Sequence, residues 1–283
     1  MNQENYLRFE FECPAPYQDF AIAELVDFGF EGFEQHDQGF IAFVPSRAIN
    51  EQVRVRINEA LTNSDYACIQ SAETLIEPQN WNETWEKSIT PQHIGVFYVY
   101  PSWLNEIPPQ DTIPLIIDPK MAFGTGNHET TRLILSELPG VVQRGARVLD
   151  VGTGTGILAI AALKLGAELA LGFDIDEWSF VNAKENRDQN QVTERFDVRL
   201  GAFETVDLVQ RYDLVLANVN RSILLEMAKQ ICHHTAPGGS LILSGLLHNE
   251  DHFILENEYY SSLTLEAIIQ QNDWIAMKFT KSV

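Results

Sequence analysis

The first 77 residues combine the periodicity of strands with the periodicity of helices. Apolar and polar residues alternate over 7–12, as in a half-buried strand, and apolar residues then recur at helical spacing. The pattern predicts six elements in turn: a strand over 7–12, a helix over 17–28, strands over 32–34 and 39–44, a helix over 48–61 and a strand over 66–76. This β-α-β-β-α-β order predicts a small ferredoxin-like α+β domain over residues 1–77.

The rest of the chain divides into a connector and a larger α/β domain. Residues 78–112 are rich in proline and contain Trp81, Trp85 and Trp103, whose packing between the two modules is favoured over stacking on a ligand. From residue 113 to 283, strands alternate with helices, which predicts a parallel sheet covered on both faces. Seven strands are expected: 147–151, 169–173, 196–200, 212–217, 240–244, 263–269 and 274–279. The last two form a hairpin that places one strand antiparallel.

One segment has the pattern of a ligand-binding turn. The strand ending at Asp150 and Val151 continues directly into GTGTG at 152–156, and a helix over 158–165 follows. Glycines permit a tight turn and a close approach of the backbone to a ligand. The next strand ends at Asp174, about 20 residues further on, where a carboxylate can accept hydrogen bonds from ribose hydroxyls. Strand, glycine loop, helix, strand and acid in this order predict a nucleotide-like ligand.

The spacing of the glycines separates two ligand classes. Dinucleotide sites use GxGxxG and place pyrophosphate at a helix N-terminus. The loop here reads GxGxG and follows an acid, Asp150, and this pattern resembles that of the class I S-adenosylmethionine-dependent methyltransferases. An acidic site also suits a cationic sulfonium better than a diphosphate, so S-adenosylmethionine is the expected cofactor.

The charge of the chain limits its partners. The 283 residues include 19 Lys and Arg and 40 Asp and Glu, a formal net charge of −21. Phosphate backbones and anionic membrane surfaces are disfavoured by this charge, whereas a basic partner is favoured. Residues 1–78 carry 14 acidic residues and four Arg, a net charge of 4 − 14 = −10, without a single Lys. This module is therefore a candidate surface for a basic substrate.

Cysteine usage and the termini favour the cytoplasm. Three widely spaced cysteines, Cys13, Cys68 and Cys232, form neither a disulfide framework nor a CxxC metal motif. The N-terminus lacks the features of a secretory signal, and no apolar run is long enough to span a membrane. The segment from His128 to Arg132 does not match the zinc motif HExxH, because Arg132 stands where the second histidine is required. The two histidines at 233–234 are expected at the surface. No metal is predicted.

A longer motif resembles one family in particular. DPKMAFGTGNHETT at 118–131 is similar to the signature DPxxAFGTGxHxTT of the bacterial methyltransferases that modify the eleventh protein of the large ribosomal subunit. Further stretches are also similar to that family: WNETW at 81–85, PSW at 101–103, GILAIAALKLGA at 156–167 and LSGLL at 243–247. The resemblance covers most of residues 78–250. Over residues 1–77 the resemblance is limited to the architecture, since the family also has a small domain there.

The resemblance implies a fold and a set of site residues. The fold is the class I methyltransferase seven-stranded sheet, preceded by a small substrate-recognition domain. The family's cofactor residues correspond to Thr131, Gly152, Asp174 and Asn218, and the glycine loop adds Gly154 and Gly156. The loop at Phe123, Gly124 and Thr125 is expected to cover the ligand, because it offers little packing of its own. The family usually has GCGSG in the glycine loop and Ile-Leu after the asparagine, whereas this chain has GTGTG and VNR at 219–221.

The implied reaction is transfer of methyl groups to amines of a basic large-subunit ribosomal protein, either lysine side chains or the α-amine. The amine must be neutral to attack. Deprotonation at pH 7 costs about 4.6 kcal/mol for a lysine of pKa about 10.4 and about 1.4 kcal/mol for an α-amine near 8. Asn218 is the candidate residue for positioning the amine through its side-chain carbonyl. Neither nucleic acid nor membrane is expected as a partner, and a monomer is expected.

Three alternatives stay open. The first is a methyltransferase of another protein, of RNA or of a small molecule, although the acidic charge disfavours RNA. The second is a module that binds S-adenosylmethionine without catalysis. The third is a dinucleotide-dependent oxidoreductase.

Overall fold

The computed structural model describes residues 5–62, 68–76, 89–104, 106–120 and 122–283. The chain divides into two compact units, 1–84 and 85–283. Trp81 and Trp85, which are predicted to pack between modules, lie outside the described residues. No helix in the described part of the chain is long and apolar enough to cross a membrane.

The first unit is a four-stranded antiparallel sheet with two helices. Its elements are β1 (Tyr6–Glu12), α1 (Gln18–Val26), β2 (Gly32–His36), β3 (Gly39–Pro45), α2 (Glu51–Thr62) and β4 (Ile69–Ile76). The strand order is β2-β3-β1-β4, and Phe9, Phe11 and Phe40 are buried in its core. The predicted β-α-β-β-α-β order and ferredoxin-like arrangement are confirmed.

The helix starts in this unit differ from the predicted ones for local reasons. A 3₁₀ turn at Ala15–Tyr17 precedes α1, which therefore begins at Gln18. Helix α2 begins at Glu51 rather than at 48, because Asn50 Oδ1 accepts a hydrogen bond from Val53 N at 3.0 Å and caps the helix.

The cysteine prediction needs one correction. The structure joins Cys13 and Cys68 by a disulfide across a Cα–Cα distance of 4.4 Å, whereas Cys232 is free and buried. Cys13 directly follows β1 and Cys68 directly precedes β4, and the pairing of Glu12 with Ile69 brings these strand ends together. A separation of 55 residues along the sequence gives no indication of this proximity.

The second unit contains two sheets and six α-helices among its described residues. Its strands are β5 (Gln92–Ile94), β6 (Phe97–Tyr100), β7 (Ile113–Ile116), β8 (Arg147–Val151), β9 (Leu169–Asp174), β10 (Phe196–Leu200), β11 (Tyr212–Asn218), β12 (Thr235–Leu247), β13 (Thr264–Gln271) and β14 (Trp274–Thr280). Its helices are α3 (Glu129–Val141), α4 (Ile157–Lys164), α5 (Glu177–Gln189), α6 (Arg221–Glu226), α7 (Ala228–His234) and α8 (Asp251–Leu255).

The large sheet has the order β10-β9-β8-β11-β12-β14-β13. The pairs from β10 to β12 are parallel, and β14 is antiparallel to both β12 and β13. Two hydrophobic clusters, one built around α3 and α4 and the other around α6 and α7, pack on the buried residues of its strands. The predicted seven-stranded, two-faced α/β sheet with one antiparallel strand is confirmed.

The start of the second unit differs from the predicted residue 113. Strands β5, β6 and β7 form a separate small sheet, and the buried side chains of Ile94, Phe97 and Leu115 belong to the same core as α3 and α4. Much of the predicted connector at 78–112 is therefore part of the folded unit. Strands of three or four residues are too short for their periodicity to be recognised in the sequence.

Candidate active site

A cavity of about 420 Å³ opens at the carboxyl ends of the parallel strands. Strands β9 and β10 lie on one side of β8, and β11 and β12 lie on the other, so the connections reverse direction here. Open α/β sheets bind ligands at such a switch point, in cavities of roughly 300–1,000 Å³. Five of the predicted site residues line the cavity: Phe123, Gly152, Gly154, Asp174 and Asn218.

The glycine loop lies against the segment that contains Phe123. Gly154 has a φ of +54°, and a Cβ on it would lie 2.3 Å from Phe123 O. Thr155 N donates a hydrogen bond to Phe123 O at 2.9 Å, and Thr155 Oγ1 donates to Gly124 O at 2.6 Å. Only glycine fits at 154, because both the backbone conformation and the neighbouring carbonyl exclude a side chain.

Asp174 connects the end of β9 to the glycine loop. Its Oδ2 accepts a hydrogen bond from Gly154 N at 2.9 Å, and its Oδ1 accepts one from Asp176 N at 3.1 Å. The side chain is partly exposed and lines the cavity. A carboxylate has about four lone-pair sites, so it retains capacity to accept hydrogen bonds from a ligand.

Asp150 supports the same loop from beneath. Its Oδ2 accepts hydrogen bonds from Thr153 Oγ1 at 2.7 Å and from Ala159 N at 3.3 Å. Its Oδ1 is buried and has no partner among the described residues. Burial raises the pKa of this carboxyl to about 6. Asp150 fixes the turn into α4 but does not line the cavity.

Asn218, at the end of β11, is oriented by a buried threonine. Its Nδ2 donates a hydrogen bond to Thr131 Oγ1 at 3.2 Å. Its Oδ1 is buried and has no partner within the described part of the chain. Unpaired buried carbonyl oxygens are uncommon, so this atom is a candidate acceptor for an N–H group of a ligand. Thr131 itself is fully buried behind Asn218.

The remaining predicted residues support the site without lining it. Gly156, with a φ of +81°, is the N-cap residue of α4. The backbone oxygen of Gly124 accepts the hydrogen bond from the Thr155 hydroxyl described above. Thr125 Oγ1 accepts a hydrogen bond from Asn127 N at 3.2 Å within its own loop. With Thr131, these residues shape the loops around the cavity.

A polar network fixes the loop that follows β7. Asp118 accepts hydrogen bonds from Ser102 N at 2.7 Å, Ser102 Oγ at 2.8 Å and Gln189 Nε2 at 2.7 Å. Asn186 of α5 accepts one from Asp118 N at 2.9 Å and donates one to Thr155 O at 3.0 Å. One buried side chain thus joins the loop containing Phe123 to the glycine loop.

Several residues that line the cavity are absent from the sequence prediction. Polar and aromatic ones are His128, Thr130, Ser179, Asn220 and Trp274, and apolar ones are Val151, Phe173, Ile175, Val219, Ile223 and Met227. His128 and Thr130 lie within the long motif at 118–131, which could have indicated them. Trp274 begins the last strand, far along the sequence, and only the sheet order brings it here.

The histidines at 233–234 have separate environments, and neither belongs to a group of His, Cys, Asp or Glu that could hold a metal ion among the described residues. His233 is exposed as expected, but His234 is buried, which corrects the surface assignment. Its ring stacks on Phe203 at 5.4 Å between centroids, and its Nδ1 lies 2.9 Å from Gln210 O. Adjacent residues at the end of a helix point in different directions, so His234 can pack in the core while His233 faces solvent.

The cavity has the chemistry that an S-adenosylmethionine-like ligand requires. Apolar side chains supply most of its walls, and a carboxylate lies beside the glycine loop. The side-chain carbonyl oxygen of Asn218 has no partner in the described part of the chain. Among the described residues that line it, Asp174 is the one Asp, Glu, Lys or Arg, so none of these residues is a basic side chain that could neutralise a pyrophosphate. This arrangement fits a sulfonium nucleoside better than a dinucleotide.

Fold and cavity together define a class I S-adenosylmethionine-dependent methyltransferase. The family model described as "Ribosomal protein L11 methyltransferase (PrmA)" matches residues 24–282. The chain belongs to this family. It is therefore a protein N-methyltransferase, and its cofactor is S-adenosylmethionine.

Individual relatives agree with this assignment. A ribosomal protein L11 methyltransferase of Porphyromonas gingivalis is 37% identical over 265 residues, covering 93% of this chain and 90% of the relative. A ribosomal protein L11 methyltransferase of Bacteroides thetaiotaomicron is 35% identical over 283 residues, covering 97% of this chain and 99% of the relative. The crystal structure of a ribosomal protein L11 methylase from Lactobacillus delbrueckii subsp. bulgaricus superposes with a TM-score of 0.63 at 29% identity, covering 69% of this chain and all of that one.

Proposed function

We propose that this protein transfers methyl groups from S-adenosylmethionine to amines of the ribosomal protein L11. The observation that carries the proposal is a cavity that combines the glycine loop and Asp174 with the side-chain carbonyl oxygen of Asn218, which has no partner among the described residues. The glycine loop and Asp174 suit a nucleoside, and the carbonyl oxygen of Asn218 suits an amine that donates an N–H hydrogen bond. The names of the relatives supply the acceptor protein.

The cofactor would be held by residues on both sides of the switch point. Gly152 and Gly154 leave room for the ligand beside the backbone, and Asp174 accepts hydrogen bonds from its ribose hydroxyls. Phe123, 54% exposed in this structure, covers it from the side. Gly124, Thr125, Gly156 and Thr131 hold these loops and Asn218 in place. When bound, the cofactor supplies an electrophilic methyl group.

The protein's own contribution to the transfer is to select and align a neutral amine. Asn218 Oδ1 accepts an N–H of the amine, which directs the nitrogen lone pair away from the asparagine. Because Thr131 fixes the Asn218 side chain, the amine is held in one orientation, and alignment of this kind lowers the barrier entropically. The apolar walls disfavour the ammonium form, which favours the reactive neutral amine.

Residues 1–77 are the proposed recognition module for the substrate. Their net charge of 4 − 14 = −10 is complementary to a basic ribosomal protein. The same charge disfavours direct binding to nucleic acid or to an anionic membrane. Since the proposed substrate is made and assembled in the cytoplasm, the protein acts there, and a monomer suffices for the single site described.

Mass spectrometry of L11 tests this function. We expect L11 from cells lacking this protein to be lighter by whole methyl groups, and the purified enzyme with S-adenosylmethionine to restore the mass. L11 of identical mass in both strains, together with no transfer in vitro, would overturn the proposal.

A further inference from the structure

A second cavity, of about 310 Å³, opens at the edge of the large sheet opposite the candidate active site. The first residue of each of four neighbouring strands lines it: Arg147 of β8, Leu169 of β9, Phe196 of β10 and Tyr212 of β11. Because these strands are parallel, their amino ends meet at one edge of the sheet and their carboxyl ends at the other. The two cavities share no residue among their described linings.

The second cavity is open because the connection from β10 to β11 contains no α-helix in residues 201–211, all of which the structure describes. The other three connections between the parallel strands contain α4, α5, or α6 with α7, whereas this one has only a 3₁₀ turn at Phe203–Thr205. Parallel strands are usually joined by a helix that covers the sheet. Without such a helix here, Leu169 at the start of β9 is 44% exposed.

Four half-buried arginines line this cavity, which we call the arginine cavity: Arg147, Arg187, Arg195 and Arg199. They are half of the eight arginines of residues 85–283. Glu194 and Asp197 are the acidic residues among the described lining residues, so the lining has a net charge of 4 − 2 = +2, in a chain with a net charge of −21. A cleft lined by one sign of charge concentrates ions of the opposite sign.

Arg147 is the arginine with the most donors available to a ligand. Its guanidinium lies 5.5 Å from the centroid of the Tyr212 ring and has no hydrogen bond or ion pair among the described residues. Asp213 Oδ2 accepts a hydrogen bond from Arg147 N at 2.8 Å, so this carboxylate bonds to the main chain rather than to the guanidinium. A guanidinium has five N–H donors, and stacking on a ring leaves them free to bind an anion.

The other three arginines are held in place by part of their donors. Arg195 Nη1 donates to two main-chain oxygens near the end of α4, at 3.2 and 3.3 Å, and no carboxylate pairs with this arginine in the described part of the chain. Arg187 pairs with Asp188 at 2.9 Å, and Arg199 pairs with Asp197 at 2.6 Å. These contacts fix the side chains and leave Nη2 of both Arg187 and Arg195 without a hydrogen-bond partner among the described residues.

We propose that the arginine cavity binds a small phosphate-bearing ligand, at a site separate from the active site. A phosphate group has up to two negative charges near pH 7 and three acceptor oxygens, so it can accept hydrogen bonds from guanidinium groups that approach from several directions. A carboxylate has one charge and two oxygens. A long polyanion would be repelled by the net charge of −21, whereas a small ligand meets mainly the local arginines. The proposal does not depend on which molecule accepts the methyl group.

Titration calorimetry with inorganic pyrophosphate, on the full-length protein in a buffer without phosphate, tests the site. We expect a Kd below about 1 mM at low salt. The Kd should rise by about fivefold or more at physiological ionic strength, because the attraction is screened. It should be the same with and without saturating S-adenosylmethionine, because the two cavities share no described residue. Succinate, a dicarboxylate, should bind about tenfold more weakly or less tightly still.

Matched variants locate the bound pyrophosphate. Arg147→Gln removes a guanidinium that has no hydrogen bond to the rest of the described chain, and Arg195→Gln removes the other arginine without a carboxylate partner. Each should raise the Kd for pyrophosphate by about tenfold or more, because charge-assisted hydrogen bonds are lost. Arg147→Lys retains the charge but not the fork of donors and should raise the Kd less. Arg144→Gln, at an exposed arginine outside the cavity, should leave the Kd unchanged.

The result that supports the site is binding by the wild type that Arg147→Gln weakens and Arg144→Gln does not, with thermal denaturation showing that both variants are folded. Absence of binding, equal Kd values for these two variants, or competition with S-adenosylmethionine would overturn the proposal. Equal affinity for succinate would show that the site does not select phosphate. A short single-stranded RNA tests the other source of phosphate: weaker binding than pyrophosphate supports a small ligand, and tighter binding that Arg147→Gln abolishes would refute it.

Discussion

Asp174 has two tasks at one position, since it holds Gly154 N and presents its remaining lone pairs to the cavity. We predict that Asp174→Ala weakens S-adenosylmethionine binding by roughly 2–4 kcal/mol, because hydrogen bonds to a charged acceptor contribute about 1.5–3 kcal/mol each. Asp174→Asn retains one acceptor oxygen and should lose about half as much. Titration calorimetry measures both. Unchanged affinity in the alanine variant would remove Asp174 from the site.

Asp150 makes folding stability dependent on pH. Burial raises its pKa to about 6 in the folded protein, above the unfolded value near 3.9. Between these values the folded state keeps a proton that the unfolded chain releases, so this contribution is present below pH 3.9 and is lost as pH rises through 6. The loss amounts to about 3 kcal/mol.

The prediction from Asp150 concerns a difference between two proteins. Asp150→Asn removes the titration but keeps an oxygen for Thr153 and Ala159. Relative to wild type, it should gain about 2 kcal/mol of stability between pH 4 and pH 7.5. Urea denaturation of both proteins at the two pH values provides the measurement. A stability difference independent of pH would contradict the raised pKa.

Helix α5 connects two loops that are distant in sequence. Asn186, fully buried, bonds to Asp118 N and Thr155 O. Asn182 donates to Asp118 O at 2.8 Å, accepts from Asn186 Nδ2 at 3.4 Å, and has no hydrogen bond to the glycine loop among the described residues. The two side chains lie one helical turn apart, so they form a matched pair. Their comparison separates general stability from support of the glycine loop.

We predict that Asn186→Ala and Asn182→Ala both lower the stability, by about 1–3 kcal/mol for each buried group left unpaired. Only Asn186→Ala should also raise the Kd for S-adenosylmethionine, by about tenfold, because Thr155 O loses its partner and the glycine loop loosens. Thermal denaturation and calorimetry measure the two effects. Equal Kd values for the two variants would show that α5 does not position the loop.

At the scale of the molecule, the first unit is more acidic per residue than the second, and the two units have different proposed tasks. We predict that a chain comprising residues 85–283 still binds S-adenosylmethionine but methylates L11 far more slowly than the full chain. Full-length kcat/KM should also fall as salt rises, because exposed charges are screened beyond about 8 Å at physiological ionic strength. Equal methylation rates for the short and full chains would refute the recognition role. Parallel loss of stability, cofactor binding and methylation would instead identify residues 1–84 as a structural cap.

The sequence alone determined the fold class and the placement of the glycine loop and Asp174 at one cavity. Hydrophobic residues recur every two positions in strands and every 3.6 positions in helices. These periodicities identified both the β-α-β-β-α-β unit and the seven-stranded sheet, because amphipathic strands and helices reveal which of their faces is buried. The positions of Gly152, Gly154 and Asp174 at the cavity follow from local order, since strand ends, glycine turns and the following acid are close together in the chain. Short strands such as β5 and the disulfide between Cys13 and Cys68 have no such local pattern.

Only the tertiary structure decided the far side of the cavity. Trp274 comes within reach of His128 because β14 inserts between β12 and β13, an order that no periodicity encodes. The orientation of the Asn218 side chain, whose Oδ1 has no partner among the described residues, likewise depends on Thr131 from another element. The pattern of hydrophobic and polar residues along a chain indicates which residues are buried, whereas contacts between distant segments depend on strand order and register. The glycine loop and Asp174 belong to consecutive segments, whereas Asn218, Thr131 and Trp274 come from distant ones, so the sequence specified the first group and the fold was needed for the second.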